Sequence, residues 1–318
     1  MWLLLEKEGM MEVNITIIGA GAVGGYFGAR LHDAGANVTF LVREKRKKQL
    51  DEDGLNVTSV NGDTYLKEPN VVTNASDIEA CDLLILSVKG YHLDGIYPQL
   101  EVLVNKGAKI LPLLNGMEHY EVLEKKVGQE AVIGGLCFII STLDKGHIVH
   151  TSKQHDLIFG PLKESQRALC KKLAMILEQA NVNFTCTDEI QNEIWNKYAF
   201  ITAYSGVTTA SRLEIGAIRK QKETLTLYKE VAEEMRQLAE AYGVNLGGDQ
   251  FLQSIEEKSF QFPEYATSSM HQDFRKGLPL ELDSLQGGAL RMAESKGLKL
   301  PIIKTLYGLL KPFESGHA

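Results

Sequence analysis

A glycine-rich turn between an apolar strand and a helix restricts the fold of this chain more than any other stretch. Residues 13–18, VNITII, form a short, β-branched run that is typical of a buried parallel strand. The next six residues, GAGAVG, have the spacing G-x-G-x-x-G, and a helical pattern follows them. The spacing alone is weak evidence, but its place between a strand and a helix predicts a Rossmann-type nucleotide-binding fold.

The turn itself is the candidate pyrophosphate-binding segment. Gly19 allows the tight turn, Gly21 lets the backbone approach a pyrophosphate, and Gly24 permits the helix to pack closely on the strand. The following helix offers free N–H groups and the positive end of its dipole. The full candidate set is Gly19, Ala20, Gly21, Ala22, Val23 and Gly24. A glycine turn that binds no ligand is the alternative, and the flanking pattern disfavours it.

The second predicted strand, residues 38–42, ends at Arg43, where an NAD enzyme usually has an acidic residue. A carboxylate at this position binds the ribose diol, whereas a guanidinium can bind a 2′-phosphate through two hydrogen bonds. Arg43 therefore predicts NADP(H) as the cofactor. The alternative is that the basic run 43–48 is only a solvated helix face, which suits Lys47 and Lys48 better than Arg43.

Two polar residues follow predicted strands at the edge where open α/β sheets bind ligands. Further strands are predicted at 55–60, 71–73, 83–88, 109–113 and 131–133, and GHIVH and HDLIFG predict two more after the DKG turn. Lys89 and Asn115 stand at the carboxyl ends of two of these strands. For Asn115, which precedes Gly116, ordinary turn chemistry is a serious alternative.

Helical patterns replace strand patterns after about residue 186. Helices are predicted at 189–203, 220–242, 250–258 and 301–310, with two shorter ones between the last pair. The predicted fold class is therefore α/β, with a Rossmann-type parallel sheet in residues 1–186. A second, all-helical domain is predicted in residues 187–318, as the binder of substrate.

Composition excludes several functional classes. The net charge of −7, without a long basic stripe, disfavours a nucleic-acid partner. The four cysteines are far apart and form no C-x-x-C pair, so we expect reduced core thiols and a cytoplasmic location. The WLLL run near the start is too short for a signal peptide or a membrane span, and residues 1–9 are either an extension or follow an upstream start codon. His147 and His150 alternate across a strand without an acidic ligand set, so no metal site is expected.

A lysine occurs inside the apolar stretch NEIWNKYAFIT. On a helix, Ile194, Tyr198 and Ile201 share one stripe, and Lys197 borders it. The ordinary interpretation is a lysine whose stem packs on the stripe and whose ammonium group reaches water. The alternative is an ammonium group placed in a reaction site.

Taken together, the motifs resemble the ketopantoate reductase (2-dehydropantoate 2-reductase) family from about residue 13 to residue 312. The marks are GAGAVGG, Arg43, SVKGYHL, LLNGMEHYEVL, EIWNKYAFITAYSGVTT and SSMHQDFRKGLPLELDSLQG. The resemblance implies NADPH-dependent reduction of ketopantoate to D-pantoate in pantothenate biosynthesis. It also makes a homodimer an expectation, which the sequence by itself does not show.

The resemblance assigns roles residue by residue. Lys197 matches the general acid of the family, and Glu281 matches a glutamate near the nicotinamide ribose and the reacting centre. Asn115 matches the asparagine between nicotinamide and substrate, and Lys89 matches a lysine that contacts the cofactor. Arg43 matches the residue that reads the 2′-phosphate, and Ser269 matches a serine that contacts the substrate carboxylate.

Two positions depart from the family pattern. Where asparagines usually follow the lysine by four and eight residues and contact substrate, this chain has Ile201 and Ser205. Because sites that hydrogen-bond a substrate discriminate strongly, the loss of these amides predicts altered substrate choice. The alternatives are a reductase of another branched or aromatic 2-keto acid, or a non-catalytic NADP-binding sensor. The sensor is disfavoured because a pure binder needs no proton donor.

Overall fold

The computed structural model describes residues 13–316, and these fall into two compact units. The first comprises residues 13–88, 92–114 and 123–190, and the second comprises 89–91, 115–122 and 191–316. The second unit thus combines the C-terminal part of the chain with two short segments that follow strands of the first. The domain boundary at residue 186 stays a prediction.

The first unit contains two five-stranded sheets. Its strands are β1 Asn14–Ile18, β2 Asn37–Leu41, β3 Leu55–Ser59, β4 Thr64–Leu66, β5 Asn70–Val72, β6 Leu83–Leu86, β7 Lys109–Pro112, β8 Gly134–Asp144, β9 His147–Gly160 and β10 Asn183–Cys186. The first sheet is parallel throughout, in the order β5-β2-β1-β6-β7. Its order reverses between β1 and β6, the kind of switch point at which such sheets bind ligands. The predicted α/β class with a Rossmann-type sheet is confirmed.

Twelve α-helices accompany the strands in the described residues. They are α1 Ala22–Asp33, α2 Glu44–Asp53, α3 Tyr97–Asn105, α4 Glu118–Val127, α5 Arg167–Leu177, α6 Ile190–Ser211, α7 Ile215–Lys220, α8 Lys222–Ala241, α9 Asp249–Gln261, α10 Ser269–Arg275, α11 Gly288–Ser295 and α12 Pro301–Leu310. A π-helical turn, Asp283–Gly287, runs directly into α11. Within residues 13–316, none of the helices combines the length and the apolar composition that crossing a bilayer requires.

Helix α1 packs between the two sheets because small residues line it. A side chain at Gly28 would collide with the ring of Phe40 in β2, and one at Gly25 would collide with Ile148 in β9. The glycines beyond the G-x-G-x-x-G turn therefore serve packing on two sides.

The later strands differ from the prediction. Residues 131–133 form no strand, because Gln129–Ala131 is a 3₁₀ turn and Val132 makes only one parallel bridge, to Ile110. The runs GHIVH and HDLIFG belong to a single strand, β9, whose hairpin partner β8 lies before the turn. Lys145 and Gly146 both have positive φ angles, as the tight two-residue turn of a hairpin requires.

Helix α6 forms the centre of the second unit and is longer than predicted. From Ile194 to Thr209 its residues are buried on nearly all sides, with Trp195 and Tyr198 among the least exposed side chains. The threonines near its end do not stop it, since Thr208 Oγ1 donates to the carbonyl of Tyr204 at 2.6 Å. A helix buried all round lies in the core of its unit.

Two smaller expectations also need correction. The helix predicted over 220–242 is α8, which begins at Lys222 because Gln221 has an extended backbone, and the short helix α7 before it was not predicted. Three of the cysteines are buried as expected, whereas Cys186 is exposed at the end of β10.

The packing of the glycine turn gives a stability prediction. A Cβ atom at Gly24 would overlap Ser87 Oγ and the carbonyl oxygen of Gly19, whereas one at Gly21 would meet no described atom within 4 Å. Gly24→Ala should therefore lower the free energy of unfolding by about 1–3 kcal/mol, measured by urea titration. The matched control, Gly21→Ala, should lower it by less than about 1 kcal/mol. Equal losses in both variants would contradict this packing.

Candidate functional site

The second unit brings Lys89, Asn115 and Glu281 together around one carboxylate. Glu281 is 4% exposed, and its Oε2 accepts a hydrogen bond from Lys89 Nζ at 2.7 Å. Asn115 Nδ2 lies 3.5 Å from the same oxygen. Lys89 and Asn115 follow β6 and β7, which are neighbours in the parallel sheet. Two residues predicted at strand ends thus meet a third that lies far along the sequence.

The charge of Lys89 is fixed by two carboxylates. Its Nζ also lies 3.1 Å from Asp273 Oδ2, in addition to its contact with Glu281. Burial by itself would lower the pKa of Lys89, but Glu281 and Asp273 outweigh burial and raise it. Lys89 is therefore an ammonium group throughout the working pH range, and it neutralises a buried carboxylate that would otherwise be costly.

Two glycines let the segments after β6 and β7 approach the π-helical turn. A side chain at Gly90 would overlap Ser284 Oγ, and a Cβ at Gly116 would lie 2.6 Å from the Ser284 carbonyl oxygen. Gly116 also has φ +100°, which disfavours residues with a side chain. The sequence Asn115-Gly116 is thus more than ordinary turn chemistry, because the glycine allows close approach as well as the turn. Single π-helical turns often mark functional sites.

The helix that carries Lys197 is joined to the same turn. Tyr198 Oη donates to the carbonyl of Leu285 at 2.7 Å, and Gln286 Nε2 donates to the carbonyl of Thr202 at 3.0 Å. Lys197 therefore lies on a helix that buried hydrogen bonds hold to the turn just after Glu281. Arg291 adds a paired contact at the surface, with Nε and Nη2 each 2.7 Å from a Glu118 carboxylate oxygen.

Lys197 is only 7% exposed, so it is not a surface lysine whose head reaches water. The charge of Lys197 acts on two other titratable groups, His119 and Lys258. Burial and Lys197 together lower the pKa of His119 to about 3. The pKa of Lys258 is also lowered, by burial first and then by Lys197, against an opposing effect of Glu193. The Lys197 side chain is thus buried, and its charge acts on both His119 and Lys258.

The remaining predicted substrate residues are on α6 and α10. Ile201 is half-buried and Ser205 is buried, about one and two turns beyond Lys197. Ser269 is exposed at the first position of α10. The hydroxyl of its neighbour Ser268 has a structural role. Ser268 Oγ accepts a hydrogen bond from His271 N at 3.1 Å, which caps α10, and it lies 2.9 Å from Thr208 Oγ1.

The first unit contains the candidate cofactor turn. It joins β1 to α1, with Gly19 at φ +96° and Gly21 at the N-cap position. In the described chain no side chain caps α1, so its first N–H groups are not taken by a capping residue. Ser87 Oγ donates to the carbonyl of Gly19 at 3.0 Å, and Arg46 Nε donates to that of Ala20 at 3.0 Å. The carbonyl groups of Gly19 and Ala20 thus accept hydrogen bonds from other side chains of the protein. The N–H groups at the start of α1 are suited to bind a pyrophosphate.

Arg43 ends the second strand region and is exposed at the N-cap of α2. The rest of the basic run behaves differently. Lys47 pairs with Asp51 at 2.9 Å, and Lys48 approaches Glu52 at 3.9 Å, so these two belong to a solvated helix face. Arg43 thus keeps an exposed guanidinium just after β2, the strand that pairs with β1.

The sequence patterns did not identify several residues of the candidate site and of the glycine turn. Asp273 lies four residues after Ser269, a spacing that places it on the same face of a helix. Arg46 and Ser87 hold the glycine turn through its carbonyl groups, which no spacing rule reveals. His119 was quoted within NGMEHY but given no role. In residues 13–316, no cluster of three or more His, Cys, Asp or Glu side chains is arranged to hold a metal ion.

Comparison with known proteins identifies the family of the chain. The family model described as Ketopantoate reductase PanE/ApbA matches residues 15–164, and its C-terminal model matches residues 189–314. The chain is 32% identical over 308 residues to uncharacterized oxidoreductase YkpB of Bacillus subtilis, covering 95% of this chain and 99% of that one.

Solved structures give the same assignment. A 2-dehydropantoate 2-reductase of Geobacter metallireducens is 27% identical, with a TM-score of 0.86 over 94% of this chain and 99% of that one. A D-mandelate dehydrogenase solved with NADH and anilino(oxo)acetate is 23% identical, with a TM-score of 0.84 over 95% and 98%, which shows the fold alone. Since the family models cover most of the chain, this protein is an oxidoreductase of the ketopantoate reductase family.

Proposed function

We propose that the protein reduces a 2-keto acid with NADPH, and that ketopantoate, reduced to D-pantoate, is the first candidate substrate. The observation that carries the proposal is the buried ammonium group of Lys197, 7% exposed, on a helix bonded to the segment that follows Glu281. Burial of a charged group is costly, and buried titratable groups cluster at functional sites. The family membership supports the same reaction type.

The proposed mechanism divides the work between cofactor and chain. NADPH, when bound, supplies the hydride. Lys197 then stabilises the negative charge that develops on the ketone oxygen and donates a proton to it. The Asn115 amide, held by Glu281, orients the reacting groups, and Ser269 binds the substrate carboxylate. Lys89 pairs with the Glu281 carboxylate at 2.7 Å and holds it in place.

The cofactor proposal is NADP(H) rather than NAD(H). Arg43 is exposed where the acidic ribose ligand of an NAD enzyme would stand, and no carboxylate occupies positions 42–43. The glycine turn Gly19–Gly24 would hold the pyrophosphate. A cytoplasmic location and a homodimer remain part of the proposal, on the grounds given by the cysteines and by the family resemblance.

A second candidate is reduction of another branched or aromatic 2-keto acid. The observation in its favour is Ile201, half-buried one turn beyond Lys197, where a polar amide would favour a hydroxylated substrate. Ser205, on the same helix, has a shorter side chain than the asparagine that the family usually has at that position. Both features leave hydride transfer and the role of Lys197 unchanged, so the two candidates share one mechanism.

A substrate panel tests the proposal and separates the candidates. NADPH oxidation would be followed by absorbance with ketopantoate and with branched and aromatic 2-keto acids. The highest kcat/KM with ketopantoate would support the first candidate, whereas the highest kcat/KM with a bulkier apolar acid would support the second. Binding of NADPH without turnover of any acid would contradict both, and would favour the sensor.

Replacement of Lys197 tests the proton donor. Lys197→Met keeps the length of the side chain and removes the charge, so kcat should fall by about 10²–10⁴-fold while NADPH binding, measured by fluorescence, is retained. The matched control is Lys229→Met, which breaks the ion pair of Lys229 with Glu256 on other helices and should leave kcat within about threefold. Full activity in Lys197→Met would remove this lysine from the mechanism.

Replacement of Arg43 tests the cofactor choice. Arg43→Ala should weaken NADPH binding by about 10–100-fold, because a charge-assisted contact to the 2′-phosphate is lost, and should leave NADH binding unchanged. Lys48→Ala is the control from the same basic run and should change neither. Equal weakening of both cofactors in Arg43→Ala would show that Arg43 does not read the 2′-phosphate.

A further inference from the structure

Arg46 differs from the lysines that follow it on α2, because it bonds to backbone groups of two other segments. It is half-buried. Its Nε donates to the carbonyl of Ala20 in the glycine turn at 3.0 Å. Its Nη1 donates to the carbonyl of Gly146 at 3.0 Å and to Gln49 Oε1 at 2.8 Å. One side chain thus joins the glycine turn to the turn of the β8–β9 hairpin, all within the first unit.

The hairpin makes two further contacts in the same region. Gln49 Nε2, on α2, donates to the carbonyl of Lys145 at 2.9 Å. Ser141 Oγ, on β8, donates to the carbonyl of Ala22, the first residue of α1, at 3.0 Å. The pairing of β8 with β9 shifts register just before Ser141, and such irregularities re-aim a side chain. The hairpin is therefore bonded both to α2 and to the start of α1.

Arg46 also lies one turn from Arg43, the candidate residue for the 2′-phosphate. The N–H of Arg46 donates to the carbonyl of Arg43 at 2.9 Å, and Arg43 is the N-cap residue of α2. The start of α2 is thus linked to the glycine turn through Arg46. A ligand binds more tightly when the groups that contact it are held in place beforehand.

These contacts depend on the shape of the arginine side chain as well as on its charge. Burial lowers the pKa of Arg46, yet a guanidinium group keeps its proton in proteins. A lysine would carry the same charge, but its single nitrogen atom cannot take the positions of both Nε and Nη1. Exchange of arginine for lysine therefore separates the charge from the geometry.

We propose that Arg46 is a positioning residue for the cofactor, which holds the glycine turn, the start of α2 and the β8–β9 hairpin in the arrangement that binds NADPH. The inference rests on the proposed function and goes beyond it, because Arg46 acts through the backbone of Ala20 and through α2 instead of contacting the cofactor. Since NADPH and NADH share the pyrophosphate, loss of Arg46 weakens the binding of both. Loss of Arg43 is expected to weaken only NADPH.

Two substitutions at Arg46 test this role. In Arg46→Met, Kd and KM should rise about tenfold or more for both NADPH and NADH, with kcat at saturating cofactor within about threefold of the wild type. Arg46→Lys should stay within about threefold of Arg46→Met. Lys48→Met, the control from the same helix, should change neither cofactor by more than about twofold. Kd would be measured by fluorescence, and KM with the best 2-keto acid of the panel.

Hydrogen exchange of the free protein gives a readout that needs no cofactor. The amides of Gly19 and Gly25 donate hydrogen bonds at the two ends of the turn. A peptide that covers residues 19–25 should exchange about tenfold faster in Arg46→Met than in the wild type, while peptides from β6 and β7 are unchanged.

Several results would overturn the proposal. Unchanged affinity and exchange would do so, and a loss confined to NADPH would mean that Arg46 reads the 2′-phosphate directly. Full recovery in Arg46→Lys would assign the effect to charge alone, and faster exchange throughout the chain would indicate a general loss of stability. Failure of the wild type to bind either cofactor would contradict the proposed function, whereas faster exchange confined to the turn would still support the role of Arg46.

Discussion

The buried carboxylate of Glu281 is the constraint on which the candidate site depends. An ionised carboxylate at 4% exposure requires a cation, and Lys89 supplies it at 2.7 Å. Lys89 and Asn115 follow neighbouring parallel strands in the sequence, and within the second unit both contact this one carboxylate. Asp273 shares the ammonium group and extends the network to α10.

Close backbone packing supports this electrostatic arrangement. Gly90 and Gly116 leave room for Ser284, and Tyr198 and Gln286 bond the π-helical turn to α6. The consequence is that the helix carrying Lys197 is held to the turn that follows Glu281. A reaction site gains from such rigidity, because catalytic groups act best when they are already in position.

The sequence anticipated those parts of the fold and site that local rules determine. The glycine turn follows from steric limits on the approach of helix, strand and phosphate, and Lys89 and Asn115 follow from the rule for strand ends. Long-range contacts were not accessible in this way. The missed strand β8 is a different case, because residues 136–142, LCFIIST, are rich in the β-branched and aromatic residues that favour strands. Arg46 has a role that depends on a distant neighbour, the carbonyl of Ala20, which spacing does not encode.

A double-mutant cycle on Lys89 and Glu281 tests most directly whether the network organises the site. It compares kcat/KM for the best 2-keto acid in the wild type, in Lys89→Met, in Glu281→Gln and in the double variant. Each single change should lower kcat/KM by about tenfold or more. The kcat/KM of the double variant should be no more than about threefold below that of the less active single variant. Losses that multiply in the double variant would contradict the account, because they would mean that the two residues act independently.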